Sequence, residues 1–302
     1  MKPLCRILTD APGQTCNRFW SYVDSVGWAI ANNSRVYILY WDKSIKDYDM
    51  LRNNKYVSFP FYSIKGIDKI GYERYDYWSH RLFPNNKLAS TFCYNTNLAP
   101  SMGFIQGWST RGSVEYISQY KKDIIALFVP NKSIKDNVET LFKRYRSEGF
   151  FIIGVHIRKG DYKDFLNGKY YFSMEQYKSF MSQLRQLYQE KRICFYISTN
   201  EMYDESVFDD FVVMKPNMQN AAYDLYALGL CDRIIGPIST FSRWASFVGN
   251  VPLCFLRQRM NLIDDKMFSP VKDYYHFKNG KEILSVKGLE DRYNRWVEYW
   301  DK

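Results

Sequence analysis

Arg158, Lys159 and Asp161 stand close together in the stretch Gly154-Val155-His156-Ile157-Arg158-Lys159-Gly160-Asp161-Tyr162. These residue types suit the holding of an anion. Arg158 offers paired planar donors that match two phosphate oxygens, Lys159 adds a point charge, and Asp161 can fix the arginine's orientation. Gly160 lets the backbone come close to a ligand. The chemistry that fits this set is a grip on the diphosphate of a sugar nucleotide. Taken alone, a short charged turn is more often a solvated strand end, so its weight depends on the other sites in the chain.

Two further stretches offer anion-binding geometry. Pro12-Gly13-Gln14-Thr15-Cys16-Asn17-Arg18 reads as a loop between a first strand and a first helix, where free N–H groups favour negative charge. Asn17 reads as the cap of that helix and Arg18 adds a cation. The loop matches neither a Walker A sequence nor G-x-G-x-x-G, so nothing in it points to a kinase or a dehydrogenase. The third stretch runs from Asp224 to Trp244 and contains Ser239-Thr240-Phe241-Ser242, a hydroxyl-rich turn opening a helix. By itself that turn is an N-cap, and it is also suited to phosphate oxygens.

The elements that must position these residues follow from periodicity. Arg6 to Thr9 reads as a strand, Arg18 to Asn32 as a helix with Phe19, Val23, Val26 and Ile30 on one face, and Arg35 to Tyr40 as a second strand. This βαβ opening predicts a parallel sheet covered by helices. Helices are expected over Val114 to Phe128 and Lys132 to Arg146, and Arg146-Ser147-Glu148-Gly149 reads as a domain boundary. After it come strand Phe150 to Val155, helix Met174 to Glu190, strand Ile193 to Ile197, strand Phe211 to Met214, helix Asn220 to Leu230, strand Arg233 to Ile235, helix Phe241 to Val248 and strand Leu253 to Leu256. That alternation predicts a second doubly wound unit. The stretch from Trp41 to Trp108 shows no clear period and reads as irregular.

Composition bounds the rest. A chain of 302 residues with 46% hydrophobic residues can build two cores, and the 18% aromatic content serves cores, interfaces or stacking on sugars and bases alike. The formal charge of +10 favours an anionic partner, but the excess is dispersed in pairs such as Lys121-Lys122, which argues against a nucleic-acid-binding tail. Six cysteines without a C-x-x-C pair, together with three histidines, argue against a structural zinc and for free thiols in a reducing compartment. The amino-terminal apolar segment is too short for a signal peptide and no later run approaches a membrane-spanning length, so a soluble or peripheral protein is expected, and the thiols make it a cytoplasmic one. Leu289, Tyr293, Trp296, Val297 and Trp300 share one face of a terminal helix. Its mixed-sign polar face fits packing within the protein better than the alternative, peripheral contact with the inner face of a membrane.

In their order along the chain, the Asn17 loop, His156-Ile157-Arg158-Lys159-Gly160-Asp161 and Ser239-Thr240-Phe241-Ser242-Arg243-Trp244 together resemble the α-1,2-fucosyltransferase family, within the wider GDP-fucose fucosyltransferase superfamily. The family pattern is Gly-x-x-x-Asn-Gln, then His-x-Arg-Arg-x-Asp, then Ser-Thr-Phe-Ser-Trp-Trp. Here Arg18 replaces the glutamine, Lys159 the second arginine and Arg243 a tryptophan. Ser198-Thr199-Asn200-Glu201 stands where relatives tend to carry Ser-Asp-Asp or Thr-Asp-Asp.

The resemblance implies an α/β, GT-B-like fold of two Rossmann-like domains facing a central cleft. Residues 1–147 would form the acceptor-side domain, and residues 148–302 the nucleotide-sugar-binding domain with the terminal amphipathic helix. It implies inverting, metal-independent transfer of L-fucose from GDP-fucose to a glycan hydroxyl, α-1,2 to a galactoside, with no cofactor beyond the donor. Arg158, His156 and Asp161 would be the catalytic set. Asn17, Arg18, Lys159, Asp224, Ser239, Thr240 and Phe241 would bind the donor. The general base is left open among His156, Asp161, Asp164 and Asp10. A transferase using another GDP-deoxyhexose is the nearest rival, and a non-catalytic glycan- or nucleic-acid-binding protein is the rival of a different class.

Overall fold

The computed structural model describes residues 5–8, 12–41, 43–60, 102–105, 107–111, 115–258, 260 and 262–274. Asp10, Cys93, most of the stretch from Trp41 to Trp108 and the helix expected around Leu289 to Trp300 lie outside the described residues. The chain divides into two compact units, Met1–Asn131 and Lys132–Lys302.

In the first unit, β1 (Cys5–Leu8), β2 (Arg35–Ile38), β3 (Val57–Ser58) and β4 (Met102–Ile105) form a sheet in the order β3-β2-β1-β4, with every pairing parallel. Helix α1 (Thr15–Ala31) makes the crossover from β1 to β2. It buries Phe19, Trp20, Tyr22, Val23, Val26, Trp28 and Ala29, so it is apolar round most of its circumference. Such a helix needs cover on more than one side. It packs on α3 (Gly107–Thr110) and α4 (Glu115–Leu127) as well as on the sheet; α2 (Asp49–Arg52) is a short turn beside β3. Gly27 permits the approach to α4, because a Cβ there would lie 2.7 Å from the Cβ of Tyr116. Charge inside this layer is paired: Arg6 donates to Asp24 at 2.9 Å, with its guanidinium 4.7 Å from the Trp28 ring.

The second unit carries α5 (Lys132–Ser147), β5 (Phe150–Ile157), α6 (Met174–Leu187), β6 (Arg192–Thr199), α7 (Ala221–Leu228), β7 (Arg233–Gly236), α8 (Thr240–Gly249), β8 (Pro252–Phe255) and β9 (Ser269–Pro270). The sheet order is β6-β5-β7-β8-β9, parallel except for β9. Alternation along the strands explains the layers. Ile153, Val155 and Ile157 of β5 join Phe195 and Ile197 of β6 in a core with Tyr177, Phe180, Met181 and Leu184 of α6. The intervening residues face α5 and α7: Tyr196 meets Phe142, and a Cβ at Gly154 would lie 2.6 Å from Leu228. Helix starts are well signalled here. Ser173 and Gln176 form a reciprocal capping box on α6, and Asn220 caps α7.

Two expectations change. The first helix begins at Thr15 with Gln14 as its cap residue, so Asn17 sits in the first turn and does not cap it. The cause is Gly13, whose positive φ of 48° turns the chain into the helix earlier. The strand expected over Phe211 to Met214 is reduced to one parallel bridge, Phe195 with Val213. Pro216, with no N–H to donate, follows closely and ends the pairing.

Candidate active site

Strand order in the second unit sets where a site can form. The chain leaves β5 toward β6 on one side, then returns to β7 on the other, so the carboxyl ends of β5 and β7 flank a topological switch point. Open α/β sheets bind ligands in the crevice at such points. Arg158 follows β5 there, and Ser239 follows β7 at the start of α8.

Arg158 is 19% exposed at its side chain and donates to Asp161 at 2.9 Å. Its Nε is buried without a hydrogen-bond partner, and the guanidinium lies 5.5 Å from the Tyr162 ring centroid. The backbone N–H of Lys159 donates to the Asn200 side chain at 2.9 Å, tying the turn after β5 to the end of β6. Gly160, with φ of 53°, admits this approach: a Cβ would lie 3.0 Å from the Glu201 carboxylate. Tyr162, to which sequence reasoning assigned no role, is the tie to β7. Its hydroxyl donates to the Ile238 carbonyl at 2.7 Å, and burial pushes its pKa up to about 12 against an opposing hydrogen bond from Ser239.

His156 is 3% exposed and stacks on Phe241 with ring centroids 5.0 Å apart. Burial, and then the positive charge of Arg158, push its pKa down to about 3. Its imidazole is therefore neutral at physiological pH, and its Nδ1 has no hydrogen-bond partner. Gly236 of β7 lies against it; a Cβ there would come within 3.0 Å of the His156 Cβ and carbonyl oxygen.

The Ser239 hydroxyl accepts from the Phe241 N–H at 3.2 Å, which caps α8. Thr240 and Phe241, half-buried, occupy the first turn of that helix, where unpaired N–H groups favour an anion. Asp224 sits deeper. It is 6% exposed, and both of its oxygens are engaged, by Tyr196 at 2.5 Å and Ser198 at 3.0 Å. Burial raises its pKa to about 6, against those two hydrogen bonds. Asp224 therefore steadies the end of β6 from below, which sequence reasoning missed because its partners lie on another strand.

Asn17 and Arg18 belong to the first unit. The Arg18 guanidinium is buried and its Nε donates to the Gly13 carbonyl at 3.2 Å; a Cβ on Gly13 would strike the Asn17 amide. The second unit thus brings together His156, Arg158, Lys159, Asp161, Ser239, Thr240 and Phe241, with Asp224 beneath the end of β6. Arg243 of α8 is buried, with its guanidinium 5.2 and 4.8 Å from the ring centroids of Phe255 and Tyr274. A surface pocket is lined by Glu139, Phe142, Lys143, Arg146, Ser147 and Leu230, residues of α5 and of the segment before β7.

Among the described residues no group of three or more His, Cys, Asp or Glu side chains is gathered to hold a metal ion. No helix among them is long and apolar enough to cross a membrane. Cys5, Cys194 and Cys231 are free thiols.

No protein-family model matches the chain, and no curated protein matches it. Solved structures do. The NodZ α-1,6-fucosyltransferase soaked with GDP-fucose aligns with a TM-score of 0.52 at 17% identity, over 87% of this chain and 99% of that one. The fucosyltransferase NodZ from Bradyrhizobium aligns with a TM-score of 0.52 at 17% identity, over 88% and 100%. NodZ co-crystallised with GDP gives 0.51 at 18% identity, over 85% and 96%. The chain therefore has the mixed α/β, GT-B-like fold of the NodZ fucosyltransferase structures, built from Rossmann-like parallel sheets.

Proposed function

We propose that this chain is a fucosyltransferase that moves L-fucose from GDP-fucose to a hydroxyl of a glycan. The observation that carries the reading is the convergence of Arg158, Lys159 and the α8 amino terminus at the switch point between β5 and β7. The fold similarity to structures soaked with GDP-fucose or co-crystallised with GDP supports the donor class.

In the reaction, the acceptor oxygen forms a bond to the anomeric carbon of fucose while the bond from that carbon to the β-phosphate oxygen breaks. GDP leaves with the electron pair, and the acceptor proton passes to a base. Negative charge grows on the phosphate while the sugar gains oxocarbenium character, so fixed cations and N–H donors at the phosphate are the main catalytic resource. Arg158, oriented by Asp161 and backed by Tyr162, supplies the cation without a resident metal. Lys159 adds charge, and the first-turn amides of α8 with the Thr240 hydroxyl supply the second clamp. With a pKa near 3, His156 is too weak a base to take the acceptor proton at neutral pH and serves as a neutral pocket wall against Phe241. Direct attack from the face opposite the diphosphate gives inversion.

The motif resemblance supports a galactoside 2-hydroxyl as acceptor, and cysteines without a C-x-x-C pair support a reducing, cytoplasmic setting. Incubation with GDP-fucose and a panel of galactosides, followed by mass and linkage analysis of products, tests the acceptor. Competition by GDP, UDP and TDP tests the donor: preferential inhibition by GDP is expected. Equal inhibition by all three would remove guanine recognition, and the absence of any fucosylated product would remove the acceptor assignment.

A further inference from the structure

The turn after Arg158 continues as two short 3-10 segments, Gly160–Lys163 and Phe165–Gly168, and these end in an unusual backbone. Leu166 and Asn167 both have positive φ, 48° and 55°, a conformation that L residues rarely hold in succession. The consequence is a tip that presents apolar side chains to solvent: Phe165 is 49% exposed and Leu166 58%. Among the described residues, Phe165 is the one aromatic ring of the large hydrophobic side chains left exposed. It is not loose. Its ring stacks on Tyr162 with centroids 5.5 Å apart at 28°, and Tyr170 flanks it at 6.5 Å. Tyr162 is in turn anchored to Ile238 and carries the Arg158 guanidinium at 5.5 Å.

We propose that Phe165, held by Tyr162 and Tyr170, is the platform on which a pyranose ring of the acceptor glycan stacks. The proposal rests on the fucosyl-donor reading of Arg158. The fucose that is transferred hangs from the phosphate that Arg158 grips, so the acceptor must lie about one sugar away from that guanidinium. Two successive contacts of 5.5 Å, from guanidinium to Tyr162 ring and from Tyr162 to Phe165, link that guanidinium to the exposed ring. The chemistry also matches. Axial C–H groups make one face of a pyranose apolar and weakly positive, which suits the negative face of an aromatic ring, and ring stacking leaves the sugar hydroxyls free to react. Leu166 extends the apolar surface beside the ring, and the exposed Lys163 and Lys169 on the same turn keep it wetted at its margin. Backbone strain maintained at an exposed tip is the kind kept for ligand contact.

The test uses the full chain with saturating GDP and saturation-transfer NMR to lactose, methyl β-galactoside and N,N′-diacetylchitobiose. Wild type should transfer saturation to the ring protons of at least one sugar. Phe165→Ala should lower that signal at least fivefold with the Kd for GDP unchanged within twofold, and Phe165→Trp should restore it. Unchanged transfer in Phe165→Ala overturns the platform, as does failure of wild type to contact any of the sugars while binding GDP. Parallel loss of GDP and sugar binding in both variants overturns it too, since it marks a structural role. Loss of binding to phosphatidylglycerol vesicles in Phe165→Ala, with sugar contact intact, would reassign the tip to a membrane. Wild type that does not bind GDP would remove the donor reading itself, and the platform with it.

Discussion

Asp224→Asn isolates a single buried titration whose size can be worked from the structure. The carboxyl of Asp224 has a pKa raised to about 6 from 3.8, first by burial and against hydrogen bonds from Tyr196 and Ser198. A carboxyl raised in the folded state binds its proton more tightly there, so its contribution to stability is fully present below pH 3.8 and is lost as pH rises through about 6. At pH 5 the native carboxyl is about nine-tenths protonated and the unfolded one only about a twentieth. Integrated from pH 7 down to pH 5, wild type should gain about 1 kcal/mol over Asp224→Asn, and about 2 kcal/mol by pH 4. The asparagine keeps an acceptor for one hydroxyl and carries no charge, so its own stability lacks this dependence. Urea denaturation of both proteins at pH 4, 5, 6 and 7, followed by tryptophan fluorescence, gives the difference directly. A difference that is flat, or that favours wild type more as pH rises, would refute the placement of a buried carboxyl beneath β6.

His156 titrates in the opposite sense: its pKa is depressed to about 3, so its contribution is present above pH 6.5 and is lost as pH falls toward 3. Relative to His156→Gln, wild type should lose about 2 kcal/mol between pH 7 and pH 5 in the same urea assay; a gain would mean a charged, paired imidazole. Tyr162→Phe keeps the ring beside Arg158 but removes the donor to Ile238. It should cost about 1 kcal/mol in stability and roughly fivefold in GDP affinity, and unchanged GDP affinity would show that Tyr162 does not hold the turn. Gly236→Ala places a Cβ 3.0 Å from His156. It should destabilise by about 1–3 kcal/mol and weaken GDP binding with circular dichroism unchanged; a variant with wild-type stability and affinity would mean that β5 and β7 are not closely packed there.

Much of the second unit could be read from the chain because its signals are local. The capping residues Ser173 and Asn220 and the β-branched runs Phe150 to Ile157 and Arg192 to Thr199 fix helix starts and strands within a few residues. The Arg158 turn was legible for the same reason: strand, cation, glycine and acid are consecutive. What the sequence hid depends on contacts distant in the chain. Asp224 looks like a polar residue in a helix until Tyr196 and Ser198, 28 and 26 residues away, close over it. Tyr162 is one tyrosine among 26, and only its bond to Ile238, 76 residues on, marks it. The first helix hides its start because Gln14 makes no side-chain cap and the turn is carried by Gly13. The paired left-handed residues Leu166 and Asn167 carry no glycine to announce them.

The most direct test of the central claim compares GDP with GMP by isothermal titration on wild type and Arg158→Ala. The two nucleotides differ by the phosphate that, in the proposed function, the turn after β5 grips. Wild type should bind GDP at least tenfold more tightly than GMP, and Arg158→Ala should abolish that preference while its GMP affinity stays within about twofold. Equal affinities of wild type for GDP and GMP, or an Arg158→Ala protein that keeps the full preference for GDP, would contradict the account.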